Sequence, residues 1–224
     1  MHSLDVTINR QSQLKQDILQ YHVNNLNWIS IMGKYLIVGL GNPGQAYARQ
    51  RHNVGFITLD AISRKHNVAF KKHKSKSLIA TLQLNNMSVI LSKPQTFMNL
   101  SGQSVQELVR YYDIQLDKIL VIFDDLDLPI GDIRIRKSGG SSGHRGMQSV
   151  ITLLGTDTIP RLRLGIGRPP PIVDPKDYVL RPFTEKQKQL IDSLIPKTIE
   201  AVESFVVDGV HTAMSNYNYK SSKE

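Results

Sequence analysis

Four polar side chains in the sequence have the chemistry of a general-base site. His52 precedes a segment with helical spacing, and Asp124 follows a continuous apolar run. Asn42 follows another apolar run, and Asn99 lies just ahead of a second helical segment. An imidazole is a workable base at neutral pH, a carboxylate can orient it, and amides can hold water or substrate. Each residue alone is more often structural, but the four together indicate general-base chemistry if they meet in one cleft.

The apolar runs predict the buried strands that must position two of these residues. Residues 34–41 and 118–123 are continuous apolar stretches, typical of strands that are covered on both faces. Sites in open α/β sheets form beyond the carboxyl ends of strands, so we expect Asn42 and Asp124 at one edge of the sheet. Alternation and a hairpin signal at Asn85-Asn86 predict further strands at residues 78–84, 87–91, 132–137 and 161–166.

Helical spacing predicts four helices among these strands. Ser101 and Ser104 are both candidate N-caps of the second helix, and Ser104 has capping-box spacing to Glu107. Pro196 is expected to kink or interrupt the last helix. Because strands and helices alternate around one hairpin, the predicted class is α/β with a mixed sheet. The predicted helices span residues 53–66, 101–112, 147–154 and 184–207.

Positive charge is concentrated outside the first 32 residues. The 224 residues carry 28 Lys and Arg against 19 Asp and Glu, a formal net charge of +9. In residues 1–32, two basic residues balance two acidic ones, so the whole excess belongs to residues 33–224. Such a body favours a polyanionic partner, most often nucleic acid, or else it has a solvated basic surface without a partner.

The first 32 residues differ in character from the rest. They are polar and rich in Asn and Gln, and they lack the basic and apolar regions of a signal peptide. Met32 stands directly before the first predicted strand. We expect residues 1–32 to be an N-terminal extension, disordered or a non-native start, and residues 33–224 to form one domain. The sequence has no apolar run of about 18 residues, so no membrane span is expected.

Two literal motif matches suggest other chemistry. Residues 39–44 match GxGxxG, but Pro43 sits inside the turn and no apolar helix face follows directly, which disfavours a nucleotide cofactor. Residues 139–143 match GxSxG with Ser141 as nucleophile, and Asp177 with His211 would complete a hydrolase order. The preceding strand alternates in charge, unlike the buried strand of a true nucleophile elbow. The chain has no Cys, and its seven His lack metal-binding spacing, so no metal site is expected.

Four segments, taken in order, carry a resemblance to a known family. They are YLIVGLGNPGQAYARQRHNVGF (35–56), KPQTFMNLSG (93–102), VIFDDLDLPIGDIRIRKSGGSSGHRGMQSV (121–150) and RLRLGIGRP (161–169). From about Lys34 to Asn218 the chain resembles bacterial peptidyl-tRNA hydrolase. The resemblance implies a single α/β domain, a twisted mixed sheet surrounded by helices, with no metal or cofactor. It also implies hydrolysis of the ester that joins a peptide to the terminal ribose of tRNA.

The resemblance implies a role for each candidate residue. His52 is the general base that deprotonates water, and Asp124 orients it and stabilises its imidazolium. Asn42 reads the peptide backbone beside the ester, which separates peptidyl-tRNA from aminoacyl-tRNA, and Asn99 holds the water and substrate. The walls that take the peptide and the terminal adenosine are implied to be Tyr47, Phe97 and Met98.

Three arginines are expected to bear on tRNA binding. Arg136 and Arg163 occupy the family's positions for gripping the acceptor-end phosphate, a task that suits a planar guanidinium. Arg145 is a departure, because the family usually has Asn in its place, within GHNG. Arg145 is expected to contact phosphate or ribose, or to weaken the site.

The implied partner is peptidyl-tRNA, bound by a cytoplasmic monomer that does not contact membranes. The alternative is a non-catalytic RNA-binding relative of the intron-splicing type. The retained set of His52, Asp124, Asn42 and Asn99 counts against that alternative.

Overall fold

The computed structural model describes residues 33–218. The predicted extension, residues 1–32, lies outside this range. Within the range, no helix combines the length and the apolar composition that crossing a bilayer requires.

The described residues form seven strands: β1 Lys34–Gly39, β2 Lys72–Lys74, β3 Ser77–Leu84, β4 Met87–Pro94, β5 Ile119–Asp125, β6 Ile133–Arg136 and β7 Arg161–Gly165. They form one mixed sheet, in the order β2-β3-β4-β1-β5-β7-β6. The four central strands, β4, β1, β5 and β7, are parallel, whereas β2, β3 and β6 join through antiparallel pairs. This confirms the predicted mixed α/β sheet.

The core lies on both faces of the sheet, which explains the unbroken apolar runs. Alternate β1 residues Tyr35 and Ile37 belong to one buried cluster, and Leu36 and Val38 belong to the other. The helices are α1 Val54–Lys65, α2 Ser101–Tyr112, α3 Arg145–Leu154, α4 Pro175–Val179 and α5 Glu185–Tyr217. Helices α1 and α5 cover the first face, and α2 and α3 cover the second.

Two glycines let α1 approach the ends of the central strands. A Cβ on Gly39 would lie 2.3 Å from the carbonyl oxygen of Gly55, closer than any real contact. A Cβ on Gly55 would lie 2.5 Å from the backbone nitrogen of Leu40 and 2.6 Å from the carbonyl oxygen of Ile122. The start of α1, and with it His52, is therefore held directly against β1 and β5.

The predicted serine caps of α2 are wrong. The N-cap residue is Leu100, and no side chain caps this helix. The Ser104 hydroxyl is buried and lies 2.6 Å from the hydroxyl of Ser77, while Ser101 donates to the carbonyl of Met98. Tertiary contacts have therefore taken the hydroxyls that local spacing assigned to the helix end.

The predicted interruption of the last helix at Pro196 is not found. Helix α5 runs through Pro196, and the residue with non-helical dihedral angles is Gly209, with φ 85° and ψ 169°. Pro196 lies on the exposed side of the helix, where water can satisfy the carbonyl that loses its N–H partner. Glycine tolerates the positive φ that breaks the helix later.

Candidate active site

The ends of β1 and β5 bring Asn42 and Asp124 to one edge of the sheet. The two strands are parallel, with Gly39 paired to Ile122, and the backbone N–H of Leu40 donates to the carbonyl of Ile122. Asn42 lies in the loop that follows β1, and Asp124 is the penultimate residue of β5. The arrangement agrees with the expectation that polar groups gather beyond the carboxyl ends of parallel strands.

His52 is hydrogen-bonded to Asp124. It lies in a 3₁₀ turn, Arg51–Asn53, directly before α1. Its Nδ1 is 2.9 Å from Oδ1 of Asp124 and 3.1 Å from Oδ2. The Asp124 side chain is 3% exposed and that of His52 is 12% exposed, so the pair opens to solvent on the imidazole side.

A second histidine, His144, shares the same carboxylate. Its Nε2 lies 3.1 Å from Oδ1 of Asp124, and its ring centroid is 4.7 Å from that of His52. His144 is also the N-cap of α3, where its Nδ1 accepts the backbone N–H of Met147 at 3.1 Å. The sequence interpretation missed this residue. The available signal was its position directly before a helix, but N-cap positions usually hold Ser, Thr, Asp or Asn.

The hydrogen bonds fix both tautomers. Because Nδ1 of His144 accepts the Met147 N–H, the proton of a neutral ring must lie on Nε2, which donates to Asp124. Asp124 is then an acceptor for His52 as well, so Nδ1 of His52 carries its proton. The Nε2 of His52 is left with a free lone pair, the form that a general base requires.

The local pKa shifts agree with this assignment. Burial alone would raise the pKa of Asp124, but the charges and hydrogen bonds of His52 and His144 outweigh it, and the pKa lies well below its usual range. Burial lowers the pKa of His144, against the opposing attraction of Asp124. Asp124 is therefore ionised and His144 is neutral at pH 7.

The ligand atoms of His52, Asp124 and His144 lie within 4.8 Å of one another, a spacing that could suit a metal ion. The cap contact argues against that use. To coordinate a metal through Nε2, His144 would have to place its proton on Nδ1, against the Met147 N–H. The donor set therefore fits a hydrogen-bond relay better than a metal site.

Three hydrogen bonds hold Asn42 in place and leave its side-chain Nδ2 available. The side chain of Asn53 accepts from the backbone N–H of Asn42 and donates to its carbonyl, both at 2.9 Å. The Oδ1 of Asn42 accepts the backbone N–H of Met98, also at 2.9 Å. The Nδ2 of Asn42 therefore remains as a fixed donor for a carbonyl oxygen. Asn53 is a second positioning residue that the sequence interpretation did not single out.

One cavity brings most of the predicted residues together. We call it cavity A; its volume is 390 Å³. Phe97 in its wall is 59% exposed, so it offers an apolar surface for a ring to stack on. The residues lining cavity A are Asn42, His52, Phe97, Met98, Asn99, Arg145, Lys176, Val179 and Leu180.

Tyr47, which was also predicted to contact the substrate, lies outside cavity A. It is half-buried in a short 3₁₀ turn, Gln45–Tyr47.

A second cavity of 360 Å³, cavity B, shares His52 and Arg145 with cavity A and extends past Asp124 and His144 to the loop at 141–143.

The strands β6 and β7 carry four arginines on one face, because Arg134 pairs with Arg163 and Arg136 pairs with Arg161 in the ladder. Arg136 is exposed. Arg163 instead forms an ion pair with the buried carboxylate of Asp125. Arg163 is therefore already partnered, which its predicted role as a phosphate ligand did not anticipate.

Arg161 is structural. It is 1% exposed and donates to the backbone carbonyls of Gly139, Gly140, Asp157 and Ile159. Burial lowers the pKa of Arg161 to about 10, so it stays charged at neutral pH. It ties down the Gly/Ser-rich loop that leads to His144.

The geometry disfavours both literal motif matches. After Gly44 the chain forms two 3₁₀ turns, and α1 begins only at Val54, so the loop presents no helix N-terminus to a pyrophosphate. Ser141 donates its hydroxyl proton to Oε1 of Gln148 at 2.9 Å, and within the described residues no histidine side chain is hydrogen-bonded to that hydroxyl. Ser141 therefore lacks the base that an activated nucleophile needs.

Comparison with known proteins decides the family. The family model described as peptidyl-tRNA hydrolase matches residues 36–224. The chain belongs to the peptidyl-tRNA hydrolase family. The peptidyl-tRNA hydrolase of Carboxydothermus hydrogenoformans is 46% identical over 184 residues, which are 82% of this chain and 98% of the relative. That of Symbiobacterium thermophilum is 48% identical over 185 residues, again 82% and 98%.

A solved structure supports the same assignment. The crystal structure of peptidyl-tRNA hydrolase from Acinetobacter baumannii matches with a TM-score of 0.78 and 34% identity, over 84% of this chain and 95% of that one. The chain is accordingly an enzyme of class EC 3.1.1.29, a peptidyl-tRNA hydrolase. The relatives are enzymes, and the intact His52–Asp124 pair likewise favours the hydrolase over the non-catalytic alternative.

Proposed function

We propose that this peptidyl-tRNA hydrolase cleaves its ester by general-base attack of water, with His52 Nε2 as the base. The observation that carries the proposal is the pair of hydrogen bonds on Asp124, which fix the proton of His52 on Nδ1. Water held at Nε2 loses its proton to the ring as its oxygen attacks the ester carbonyl. Asp124 stabilises the imidazolium that forms, and the proton then passes to the departing ribose oxygen.

Asn42 and Asn99 orient the reacting groups. The Nδ2 of Asn42 is a donor in a fixed position, suited to a backbone carbonyl of the peptide next to the ester. Asn99 is exposed on the wall of cavity A, where its amide can hold the water or the substrate. An aminoacyl-tRNA has no peptide carbonyl at that point and places a charged ammonium there instead, so the same contact favours peptidyl-tRNA.

The walls and the basic surface hold the remainder of the substrate. Phe97 and Met98 provide apolar contact for the peptide and the terminal adenosine, whereas Tyr47 lies outside cavity A. Arg136 is free to take an acceptor-end phosphate, whereas Arg163 does so only while shared with Asp125. Arg145 projects from the start of α3 into cavity A, where it contacts phosphate or ribose.

The biological result of this reaction is free tRNA and a released peptide, from translation products that dissociate early or stall. We further propose that the enzyme acts as a monomer in the cytoplasm and that residues 1–32 take no part in the reaction.

A direct test asks whether a covalent intermediate forms. We expect rapid-quench mass spectrometry during turnover of N-acetyl-aminoacyl-tRNA to find the enzyme at its unmodified mass. Ser141→Ala should hydrolyse this substrate at the wild-type rate, because the Ser141 hydroxyl is hydrogen-bonded to Gln148 and not to a catalytic residue. An acyl adduct on Ser141, or loss of turnover in Ser141→Ala, would contradict direct attack by water.

A further inference from the structure

Two exposed cations line the same cavities as the base His52. Arg145 is the first residue of α3, and Lys176 is in α4. Both side chains are exposed, and both line cavity A and cavity B together with His52. Nothing in the family resemblance assigned a role to Lys176.

The charge of cavity A is unbalanced. Among the described residues, Arg145 and Lys176 are the formally charged ones that line cavity A, whereas the carboxylates of Asp124, Asp125 and Asp174 line the adjoining cavity B. In the described part of the chain neither cation forms an ion pair. Asp177 is next to Lys176 in sequence and Asp174 is two positions before it, where it accepts the backbone N–H of Lys176 as the cap of α4. Cations that line one concave surface repel each other and raise the local concentration of an anion.

We propose that Arg145 and Lys176 together bind the phosphate that links the terminal adenosine to the rest of the tRNA. This rests on the proposed function, in which the ester lies at His52. Only one ribose separates the ester oxygen from that phosphate, so the phosphate must lie close to the base whenever the ester is in place. It is also the formally charged group of the substrate nearest to the ester, since an N-blocked peptide carries no charge there.

The two side chains suit different parts of this task. The guanidinium of Arg145 can donate two parallel hydrogen bonds to phosphate oxygens, whereas the ammonium of Lys176 acts as a point charge. The phosphate would join α3 to α4 across the cleft and fix the ribose against His52. In this chain, the Arg that replaces the family's Asn is therefore one half of a phosphate site, not a weakened substrate contact.

The test compares binding of 5′-AMP with binding of adenosine by titration calorimetry. The two ligands differ only in the phosphate, and the measurement does not depend on turnover. We expect the wild type to bind AMP about tenfold more tightly than adenosine. Arg145→Ala and Lys176→Ala should each reduce this ratio, and the double variant should remove it while the Kd of adenosine stays unchanged. Lys186→Ala, an exposed lysine outside both cavities, is the matched control and should keep the wild-type ratio.

Three outcomes would overturn the proposal. The first is equal binding of AMP and adenosine by the wild type, or a ratio that survives in the double variant. The second is inorganic phosphate that binds as tightly as AMP, because the site would then recognise a free anion. The third is unchanged AMP binding with faster hydrolysis of unblocked aminoacyl-tRNA by the variants, because the cations would then act by repelling its ammonium group. If the mechanism at His52 were wrong instead, His52→Ala would keep its turnover while the AMP ratios remained as expected.

Discussion

His144 and His52 lie with ring centroids 4.7 Å apart and contact the same oxygen of Asp124, yet only one of them can act as a base. The cap contact from Met147 makes His144 a fixed donor. His52 has no such constraint at Nε2 and faces cavity A. His144 therefore orients the carboxylate of Asp124, which in turn orients His52.

Substitutions at His144 should separate its two contacts. Asn at this position can still accept the Met147 N–H but is too short to reach Asp124, so we expect His144→Asn to keep its stability and lose about tenfold in kcat at unchanged KM. His144→Ala should lose the cap as well, at a cost of about 1 kcal/mol in unfolding free energy. Thermal denaturation with steady-state kinetics checks both. A wild-type kcat in His144→Asn would show that the contact with Asp124 does not matter for catalysis.

The buried neutral state of His144 makes stability depend on pH. Its pKa is lowered in the folded chain, so below about pH 6.5 the unfolded chain binds a proton that the folded chain does not. The free energy of unfolding should therefore fall as the pH drops from 7 to 5, by at most about 1.4 kcal/mol per pH unit from this group.

Asp124 does not contribute to the change in unfolding free energy between pH 7 and pH 5. Its pKa is lowered, so its stabilisation is present above about pH 4 and is lost only as the pH falls further. Urea denaturation at several pH values should show a smaller slope between pH 7 and 5 for His144→Asn than for the wild type. Equal slopes would mean that His144 is protonated in the folded chain.

The two arginines assigned to the tRNA should behave differently. Arg136 is exposed, so Arg136→Ala should raise KM more than it lowers kcat and reduce the log–log salt slope of tRNA binding by about one. Lys71→Ala removes an exposed charge next to β2 and serves as the control, with little change in slope. If Arg136→Ala left the salt slope of tRNA binding unchanged, the tRNA would have to bind on a different face of the domain.

Arg163→Ala should instead destabilise the fold, because it leaves the carboxylate of Asp125 buried and unpaired. Breaking a pair of this kind costs about 3–5 kcal/mol. Combining Arg163→Ala with Asp125→Asn should restore much of the lost Tm, since no buried charge then remains. If Arg163→Ala denatures at the wild-type temperature, the ion pair contributes little in solution.

A chain that starts at Met32 should keep both Tm and activity. Residues 1–32 carry no net charge, and the family match begins at residue 36. Thermal denaturation and turnover of N-acetyl-aminoacyl-tRNA compare the two chains. A decrease of several degrees in Tm would mean that the extension packs on the domain.

The sequence was enough to predict the elements that end at the site. The apolar run before Asn42 and the one before Asp124 are each buried on both faces, and this pattern needs no knowledge of distant residues. The hairpin at Asn85-Asn86 was equally local, because both residues take the positive φ that its turn requires.

The missed features all depend on contacts between distant segments. His144 follows a Gly/Ser-rich stretch that looks exposed in sequence, and it is buried because Arg161 holds that loop. The pairing of Arg163 with Asp125 follows from β7 lying beside β5, which the order of elements along the chain does not reveal. Asn53 pins Asn42 across a loop whose closure only the fold determines.

The most direct test of the mechanism is the turnover of N-acetyl-aminoacyl-tRNA by His52→Ala, with tRNA binding measured on the same preparation. His73→Ala, which removes an exposed histidine on β2, is the matched control. We expect His52→Ala to lose about 10²–10⁴-fold in kcat with its Kd for tRNA nearly unchanged, and the control to keep both. Turnover near the wild-type rate in His52→Ala would contradict the assignment of His52 as the base.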